Sequence, residues 1–294
     1  MYAWGYNGFG QFGNGNFRHS ENPILVETLK PGPASRVKQV AAGANHASAI
    51  LEVKRPEILG KNSSSSSFSI SLYTWGANRF AQCGPPACRH RSKPLKVLGI
   101  PGPPSVPVKF SAGRHHSSIL TNYGEIWTWG ANSGGRLGRP NVEYPYTACP
   151  GKVKNQEYRY KDVHCGDFHT TAVTIDGDVF CWGVSSQGQC GGANVSEETR
   201  KSAVKFPREI ELPARDRSDL GVTTGANHTL VVPQRNEGKV WGWGDSLAIA
   251  TTEHDEDDNI YFRPVLCKLS DEKLKRVNIC AAGNGHSILV CSAK

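Results

Sequence analysis

The chain has 294 residues and a formal net charge of +8, with 32 glycines and 18 prolines that suit short strands and turns. It holds no run of eighteen apolar residues, which argues against a membrane-spanning helix, and its start, Met1–Trp4, lacks the basic residues and apolar core of a signal peptide. The positive charge permits contact with nucleic acid, but no long Lys/Arg tail favours it.

One pattern of short strands recurs five times along the chain. Each copy opens on an apolar strand that ends in Trp-Gly and usually continues through a glycine-rich loop into an outer strand near a Pro and a Val. It closes on a Gly-x-x-His bend and another apolar strand. The copies cover approximately residues 2–51, 72–120, 126–175, 179–232 and 239–291. Repeats of about fifty residues with several short strands are typical of propeller blades.

The repeated residues fall into two series that alternate strictly. The tryptophans are Trp4, Trp75, Trp129, Trp182 and Trp243. The bends are Gly43/His46, Gly113/His116, Gly166/His169, Gly225/His228 and Gly283/His286. Residues repeated once per blade lie too far apart around a ring to converge on one ion. We therefore predict that both series serve the architecture, with each His buried and hydrogen-bonded to backbone beside its glycine.

The strand pairing is clearest where the third copy meets the fourth. An Asp-Gly dipeptide at residues 176–177 stands between two apolar runs, and this dipeptide favours the tight turn of a β-hairpin. We therefore predict that Thr170–Ile175 and Val179–Trp182 are antiparallel neighbours. Phe180 and Trp182 lie two positions apart, so they share one face of the strand.

These patterns predict an all-β fold, a single β-propeller of about five blades over residues 1–294. The first copy begins with a Trp strand that no His strand precedes, and the last ends with a His strand that no Trp strand follows. We predict that Ser287–Cys291 pairs beside Tyr2–Trp4 and closes the ring, since closure removes two exposed strand edges. Residues 52–71 carry a serine run and are predicted to form a surface loop insertion.

Nine cysteines occur without a C-x-x-C pair. Cys83 and Cys190 stand where other copies have Phe12 and Leu137, so we predict that they are reduced core residues. Reduced cysteines favour the cytoplasm or the nucleus.

Three features outside the repeat pattern are candidates for partner binding. A basic patch after the second loop contains Arg89, Arg91 and Lys93. Trp127 and Trp241 each precede a repeat tryptophan by two residues. The acidic cluster of the fifth copy contains Asp255, Glu256, Asp257 and Asp258. The structural alternatives are solvated loops for the charges and blade packing for the tryptophans, and packing is the interpretation that we favour for the latter.

No motif for covalent chemistry is present. The sequence lacks a Gly-x-Ser-x-Gly elbow, a phosphate-binding P-loop and a His-Glu-x-x-His pair. The acidic cluster lacks the alternating spacing and the glycine of a calcium loop. We therefore predict that the protein is not an enzyme and has no metal site and no cofactor.

The composite pattern resembles a known repeat. Trp-Gly-x-Asn, Gly-Gln-x-Gly, Pro…Val and Ala-Gly-x-x-His-Ser, as in Tyr2–Gly13, Leu72–Gly84 and Val37–Leu51, resemble the regulator-of-chromosome-condensation family over essentially the whole chain. The double tryptophan of the last copy is similar to the yeast alpha-tubulin-suppressor and secretion-regulating exchange-factor-like branch. Most family members have seven blades, which the five copies here do not match.

The resemblance implies a non-catalytic interaction propeller that acts as a regulatory or accessory subunit. A similar yeast propeller binds a small zinc protein that serves wobble-uridine tRNA modification and diphthamide synthesis. The alternatives are a guanine nucleotide exchange factor for a Ran-like small GTPase and a chromatin-binding propeller. The expected partner is a protein in the cytoplasm or nucleus, with weaker support for nucleic acid and none for a membrane.

Overall fold

Short antiparallel strands make up almost all of the regular structure. The computed structural model describes residues 1–29, 32, 34–54, 68–140, 142, 145–154, 157–192, 203–213, 220–233, 239–249, 260–267 and 274–293. The strands within these residues are β1 (Tyr2–Gly5), β2 (Ser20–Leu25), β3 (Ser35–Ala42), β4 (His46–Lys54), β5 (Phe68–Ala77), β6 (His90–Lys96), β7 (Pro107–Ala112), β8 (His116–Thr121), β9 (Ile126–Ala131), β10 (Tyr146–Lys152), β11 (Tyr160–Cys165), β12 (His169–Thr174), β13 (Val179–Gly183), β14 (Val204–Ile210), β15 (Leu220–Thr224), β16 (His228–Pro233), β17 (Trp241–Asp245), β18 (Ile260–Leu266), β19 (Leu274–Ala282) and β20 (Ser287–Ala293). The described residues also contain one short helix, α1 (Ser246–Ile249), and two 3-10 turns, Glu27–Leu29 and Ser133–Gly135.

The strands form a fan of sheets. Four complete blades are four-stranded antiparallel sheets made of β3–β6, β7–β10, β11–β14 and β15–β18. The first strand of each blade lies against the first strand of the next, as β3 does against β7 and β11 against β15. These first strands are therefore the inner ones, and the sheets radiate from a common axis as a propeller requires.

Each blade joins the end of one sequence copy to the start of the next. β4, which begins at His46, pairs with β5, and His46 lies opposite Gly76. The predicted hairpin is confirmed because β12 pairs antiparallel with β13 and Thr170 lies opposite Trp182. Phe180 and Trp182 pack in one buried cluster, as their shared strand face requires.

Two half-blades flank the complete blades. β1 pairs with β2 and β19 pairs with β20, each as a two-stranded sheet. Together they hold the four strands that a fifth blade needs. Among the described residues no pairing joins β1 to β20, so ring closure remains a prediction.

The core lies between neighbouring blades. Trp75, Trp129, Trp182 and Trp243 are at most 2% exposed. Their indole nitrogens donate to main-chain carbonyls of the preceding loop, which are those of Gln11, Gln82, Arg136 and Gln189. Buried Val26, Val97, Val153 and Val265 lie at the outer strands, where the Pro…Val pattern predicts them. Cys83 and Cys190 are buried in their loops, as predicted.

The predicted insertion is shorter than the sequence indicates. β4 and β5 continue through residues 52–54 and 68–71, where Glu52 pairs with Ile70 and Lys54 with Phe68. The serine run at 63–67 lies outside the described residues, as does the acidic cluster at 255–258. Among the described residues no helix has the length and apolarity needed to cross a membrane.

Candidate interaction face

The bend histidines join each blade to the next. His46, His116, His169 and His228 are buried. Their Nε2 atoms lie within hydrogen-bond distance of hydroxyl groups on the following blade, those of Ser117, Thr170, Thr229 and Ser287. The partner is therefore a side chain of the neighbouring blade and not the backbone that the sequence analysis predicts. His286 differs from the other four because it is exposed.

Burial keeps these imidazoles neutral. Desolvation lowers the pKa of His46 and of His169 to about 3 and that of His228 to about 4. Ser117 Oγ donates to the Gln82 carbonyl, so it accepts from His46 Nε2. The described residues contain no group of three or more His, Cys, Asp or Glu arranged to hold a metal ion.

The bend glycines bring the blades close together near the axis. A Cβ atom at Gly43 would lie 2.4 Å from the carbonyl oxygen of Gly113, and one at Gly113 would lie 2.4 Å from that of Gly166. The same contact recurs from Gly166 to Gly225 and from Gly225 to Gly283. Glycine is required here because no other residue leaves room for the neighbouring backbone. Both the repeat tryptophans and the Gly-x-x-His bends therefore have structural roles in the propeller.

The bends and the glycine-rich loops share one end of the propeller. Each His strand begins opposite the Gly near the end of the Trp strand that follows it in the same blade, as His116 lies opposite Gly130. We call this end the loop face. In three loops Gln11, Gln82 and Gln189 accept from a main-chain N–H two residues earlier, which folds the loop on itself.

Two adjacent bends and one loop depart from the repeat. The pairs between Gly and His are Ala44-Asn45, Ala226-Asn227 and Asn284-Gly285 in three bends, but Arg114-His115 and Asp167-Phe168 in the other two. The third loop has Arg136 where the first, second and fourth loops have Gln. We call Arg114, His115, Arg136, Asp167 and Phe168 the bend cluster. The other three bends pack with small residues at these positions. The fold therefore does not require the size or charge of the bend cluster, and these side chains are available for another function.

The cluster packs two guanidinium groups around one aromatic ring. Arg136 lies 4.8 Å from the centre of the Phe168 ring, and Arg114 lies 5.8 Å from it. Arg114 Nη1 is 3.0 Å from Asp167 Oδ2. Arg136 is buried, donates to the Ser133 and Asp167 carbonyls, and has its pKa lowered to about 10 mainly by desolvation. Two cations and one carboxylate leave a local excess of positive charge.

Aromatic rings continue from the cluster across the loop face. The His115 ring lies 4.7 Å from Phe80, which also contacts Tyr146. Desolvation, followed by Arg114 and Arg136, lowers the pKa of His115, so this ring is neutral near pH 7. The next pair of rings along the face is Phe9 and His90. The half-exposed Arg114 and these partly exposed rings together suit an acidic partner surface.

The partner-binding residues predicted from sequence have different surroundings. Arg89 and Lys93 are exposed, and Arg89 borders the loop face. Arg91 is corrected: it is buried, and its guanidinium donates to the Cys83, Gly84 and Pro86 carbonyls, so it clamps its own loop. A partner cannot reach a side chain held in this way.

The two additional tryptophans pack against the blades. Trp127 and Trp241 are half-buried against hydrophobic clusters, which agrees with the packing interpretation. Lys152 lies 6.0 Å from the Trp127 ring. The four acidic residues Asp255, Glu256, Asp257 and Asp258 lie outside the described residues.

Sequence reasoning missed the bend cluster, although the signal was present. Comparing the five copies with one another marks Arg136 and the two bulky bends as departures. What the sequence did not indicate is that these departures come from adjacent blades and meet at Phe168.

Comparison with known proteins defines the family. The family model of the regulator of chromosome condensation (RCC1) repeat matches residues 1–50, 71–120, 123–173 and 176–232. The chain therefore belongs to the RCC1 repeat family. E3 ubiquitin-protein ligase HERC2 of Homo sapiens is 25% identical over 301 residues, which cover 100% of this chain and 5% of that protein. Ultraviolet-B receptor UVR8 of Arabidopsis thaliana is 28% identical over 243 residues, covering 82% of this chain and 48% of the receptor. The chain thus spans less than half of these relatives.

Solved structures share the fold. Human WBSCR16 has a TM-score of 0.73 at 17% identity, covering 99% of this chain and 67% of that one. Yeast RCC1 (Prp20), solved with Kap60, has a TM-score of 0.74 at 23% identity, covering 99% of this chain and 62% of that one. At these identities the likeness concerns the fold alone.

Proposed function

We propose that this chain is a non-catalytic interaction propeller, a regulatory or accessory subunit that binds an acidic surface of a protein partner with its loop face. One observation carries the proposal. The bend cluster places the half-exposed Arg114 and Phe168 at repeat positions where the scaffold needs only small residues, and the buried Arg136 packs against the Phe168 ring from below. Arginine and aromatic residues dominate the binding energy of many protein interfaces.

The test is reversal of one charge on this face. Arg114→Glu removes a cation that is half exposed and places a carboxylate beside Asp167. Proteins that co-purify with the wild-type chain from cells should be identified and their affinity measured with purified components. We expect Arg114→Glu to weaken binding by about 30-fold, since an interface hot spot contributes about 2 kcal/mol or more.

The matched control is Arg159→Glu, which makes the same charge change on an exposed residue just before β11, at the opposite end of the blades. It should bind as the wild type does. If Arg114→Glu retains full affinity for the partners, or if both variants lose it equally, the loop face is not the interface.

A finer proposal concerns the partner. A small zinc protein that serves wobble-uridine tRNA modification and diphthamide synthesis is the partner class that the family resemblance suggests, with cytoplasmic or nuclear localisation. Deletion of the gene should then lower these modifications in total tRNA and in elongation factor 2, as measured by mass spectrometry. Unchanged modification levels would exclude this role while leaving the interaction face in place.

The second candidate is nucleotide exchange on a small GTPase. The structure of Prp20p from Saccharomyces cerevisiae, with a TM-score of 0.62 at 20% identity, is described together with its binding to Gsp1p and histones. Nucleotide release from a panel of purified GTPases tests exchange activity directly. DNA affinity that falls steeply with salt would instead support the chromatin alternative.

A further inference from the structure

A small cavity lies between the second and third complete blades, at the end of the propeller opposite the loop face. The second blade contributes residues 123–126, where the chain turns from β8 into β9, and residues 152–153 at the end of β10. The third blade contributes residues 158–160 at the start of β11. The cavity has a volume of about 170 Å³. Since a cavity of about 150 Å³ can bind benzene, this one has room for a ligand with one ring.

One wall of the cavity carries a buried hydroxyl group without a partner. Tyr160 lines the cavity and is 5% exposed, and its hydroxyl makes no hydrogen bond with any described residue. The ring belongs to the same hydrophobic cluster as Ile126 and Val153, which also line the cavity. Burial raises the pKa of Tyr160, so the hydroxyl keeps its proton and can donate a hydrogen bond. A buried hydroxyl costs free energy when it is unpaired, so an acceptor that enters the cavity gains affinity from this group.

The repeat does not require this hydroxyl. Tyr160 pairs with Thr174 at the end of β12. The residues that pair at the corresponding point in the other complete blades are all apolar, and they are Val37, Pro107 and Leu220. Tyr123 is also particular to this site, because the corresponding turn of the third complete blade has Asp176 at that position. Both tyrosines are therefore available for a role other than folding.

The charges around the cavity favour an anion. Lys152 forms an ion pair with Glu125, whose carboxylate also accepts from the Trp127 indole at 3.5 Å. These two charges therefore compensate each other. Arg159 is exposed and donates to the Tyr123 carbonyl at 3.4 Å, but it pairs with no carboxylate among the described residues. Its guanidinium leaves one uncompensated positive charge at the cavity, and its planar fork of donors suits a carboxylate.

The rest of the wall is aromatic and apolar. Tyr123 and Tyr158 line the cavity and are partly exposed. The Tyr158 ring packs against Phe180, with the ring centres 4.8 Å apart, which restricts its movement. Together with Ile126 and Val153, these rings provide an apolar surface for a flat ligand ring, since aromatic pairs favour offset-stacked or edge-to-face contacts.

We propose that this cavity binds a small aromatic carboxylate of the benzoate class. The carboxylate pairs with the Arg159 guanidinium and accepts from the Tyr160 hydroxyl, while the ring packs against Tyr123 and Tyr158. The ligand thus supplies an acceptor to the unpaired donor and an anion to the uncompensated cation. This inference does not depend on the proposed function, because the cavity and the loop face lie at opposite ends of the blades.

Titration of the purified chain with benzoate, followed by NMR, tests the proposal. For so small a ligand we expect a dissociation constant of about 1 mM or lower. Benzamide has the same ring and shape without the charge, and acetate has the charge without the ring. We expect each of them to bind about tenfold more weakly than benzoate. No binding of benzoate, or equal binding of benzamide, would overturn the proposal.

Tyr160→Phe removes the hydroxyl and keeps the ring. We expect this variant to bind benzoate about tenfold more weakly, since it loses a hydrogen bond to a charged group. The melting temperature of the unliganded chain should not fall, because no described residue bonds to this hydroxyl. A loss of binding is thereby distinguished from a loss of folding.

Tyr261→Phe is the matched control. It makes the same change on a buried tyrosine of the fourth complete blade that does not line the cavity. It should bind benzoate as the wild type does. Wild-type affinity in Tyr160→Phe, or an equal loss in the two variants, would contradict the proposed contact.

Arg159→Gln separates recognition of charge from recognition of shape. We expect it to weaken benzoate binding about tenfold and to leave benzamide binding unchanged, because only benzoate offers an anion to the guanidinium. An equal loss for the two ligands would show that the cavity does not select a carboxylate.

Discussion

At the scale of single residues, the repeated Gly and His make two complementary contacts with the neighbouring blade. The glycine lets the bend of one blade touch the backbone of the next, and the histidine three residues later bonds to a hydroxyl on that same blade. Neither residue type indicates chemistry, because four of the five copies use them in the same way.

Gly113→Ala should destabilise the protein strongly. The new Cβ would lie 2.4 Å from the Gly166 carbonyl oxygen and 2.4 Å from Cε1 of the buried His116 ring, so both backbone and a buried side chain would have to move. We expect a loss of about 2–4 kcal/mol in the free energy of unfolding, measured by urea denaturation. Gly102→Ala is the control, since its Cβ would meet nothing within 4 Å and should change stability by about 0.5 kcal/mol or less. Equal effects at the two sites would refute the crowding argument.

The buried histidines should make the protein sensitive to acid. Their pKa values are lowered in the folded state, to about 3 for His46 and His169, from an ordinary value of 6.5. The unfolded chain therefore binds more protons below pH 6.5, so stability is complete above that pH and falls toward pH 3. Each such histidine contributes about 1.4 kcal/mol per pH unit within this window. A melting temperature that stays constant from pH 7 to pH 5 would contradict this account.

At the scale of elements, an outer strand can clamp the loop that precedes it. Arg91 of β6 donates to three loop carbonyls, and Arg208 of β14 does so to the Cys190 and Gly191 carbonyls. The glycine-rich loops have few apolar side chains of their own, so these charged donors replace packing. Arg91, which the sequence analysis places in a surface basic patch, therefore has a structural role.

Arg91→Lys should destabilise the second loop. An ammonium group cannot reproduce the fork of donors that reaches the Cys83, Gly84 and Pro86 carbonyls. We expect a loss of about 2 kcal/mol, since hydrogen bonds to charged groups each contribute about 1.5–3 kcal/mol. Arg89→Lys, two residues away and exposed, should have no measurable effect in the same thermal denaturation assay. If Arg89→Lys costs as much, the clamp is not the cause.

At the scale of the whole molecule, the predicted junction between the last half-blade and the first complete blade would differ from the other four. Each of the others has a hydroxyl that faces the preceding histidine, but residue 47 is Ala. If the ring closes as the sequence predicts, His286 faces this alanine. The closing junction would then lack one hydrogen bond that the other four junctions have.

Ala47→Ser should stabilise the closed ring. The new hydroxyl would accept from His286 Nε2, with an expected gain of about 1 kcal/mol. The gain should vanish in the His286→Ala background, because a double-mutant cycle isolates the pair. Thermal denaturation of the four proteins measures it. The same gain with and without His286 would show that the two residues do not meet.

Much of this fold could be predicted from the sequence because its signals are local and repeated. Trp-Gly steps, Gly-x-x-His bends and the Asp-Gly turn at 176–177 fix strand ends within a few residues, so the five copies and their antiparallel pairing follow from the pattern alone. Burial of four of the bend histidines follows on the same basis.

Tertiary structure decided everything that depends on contacts between copies. The histidine partners, the role of Arg91 and the meeting of Arg114 and Arg136 at Phe168 all join residues of different blades or of a strand and a loop. Sequence spacing specifies which side of a strand a residue occupies, but it does not specify what faces that side. That depends on how the blades are rotated about the axis, which only their packing determines.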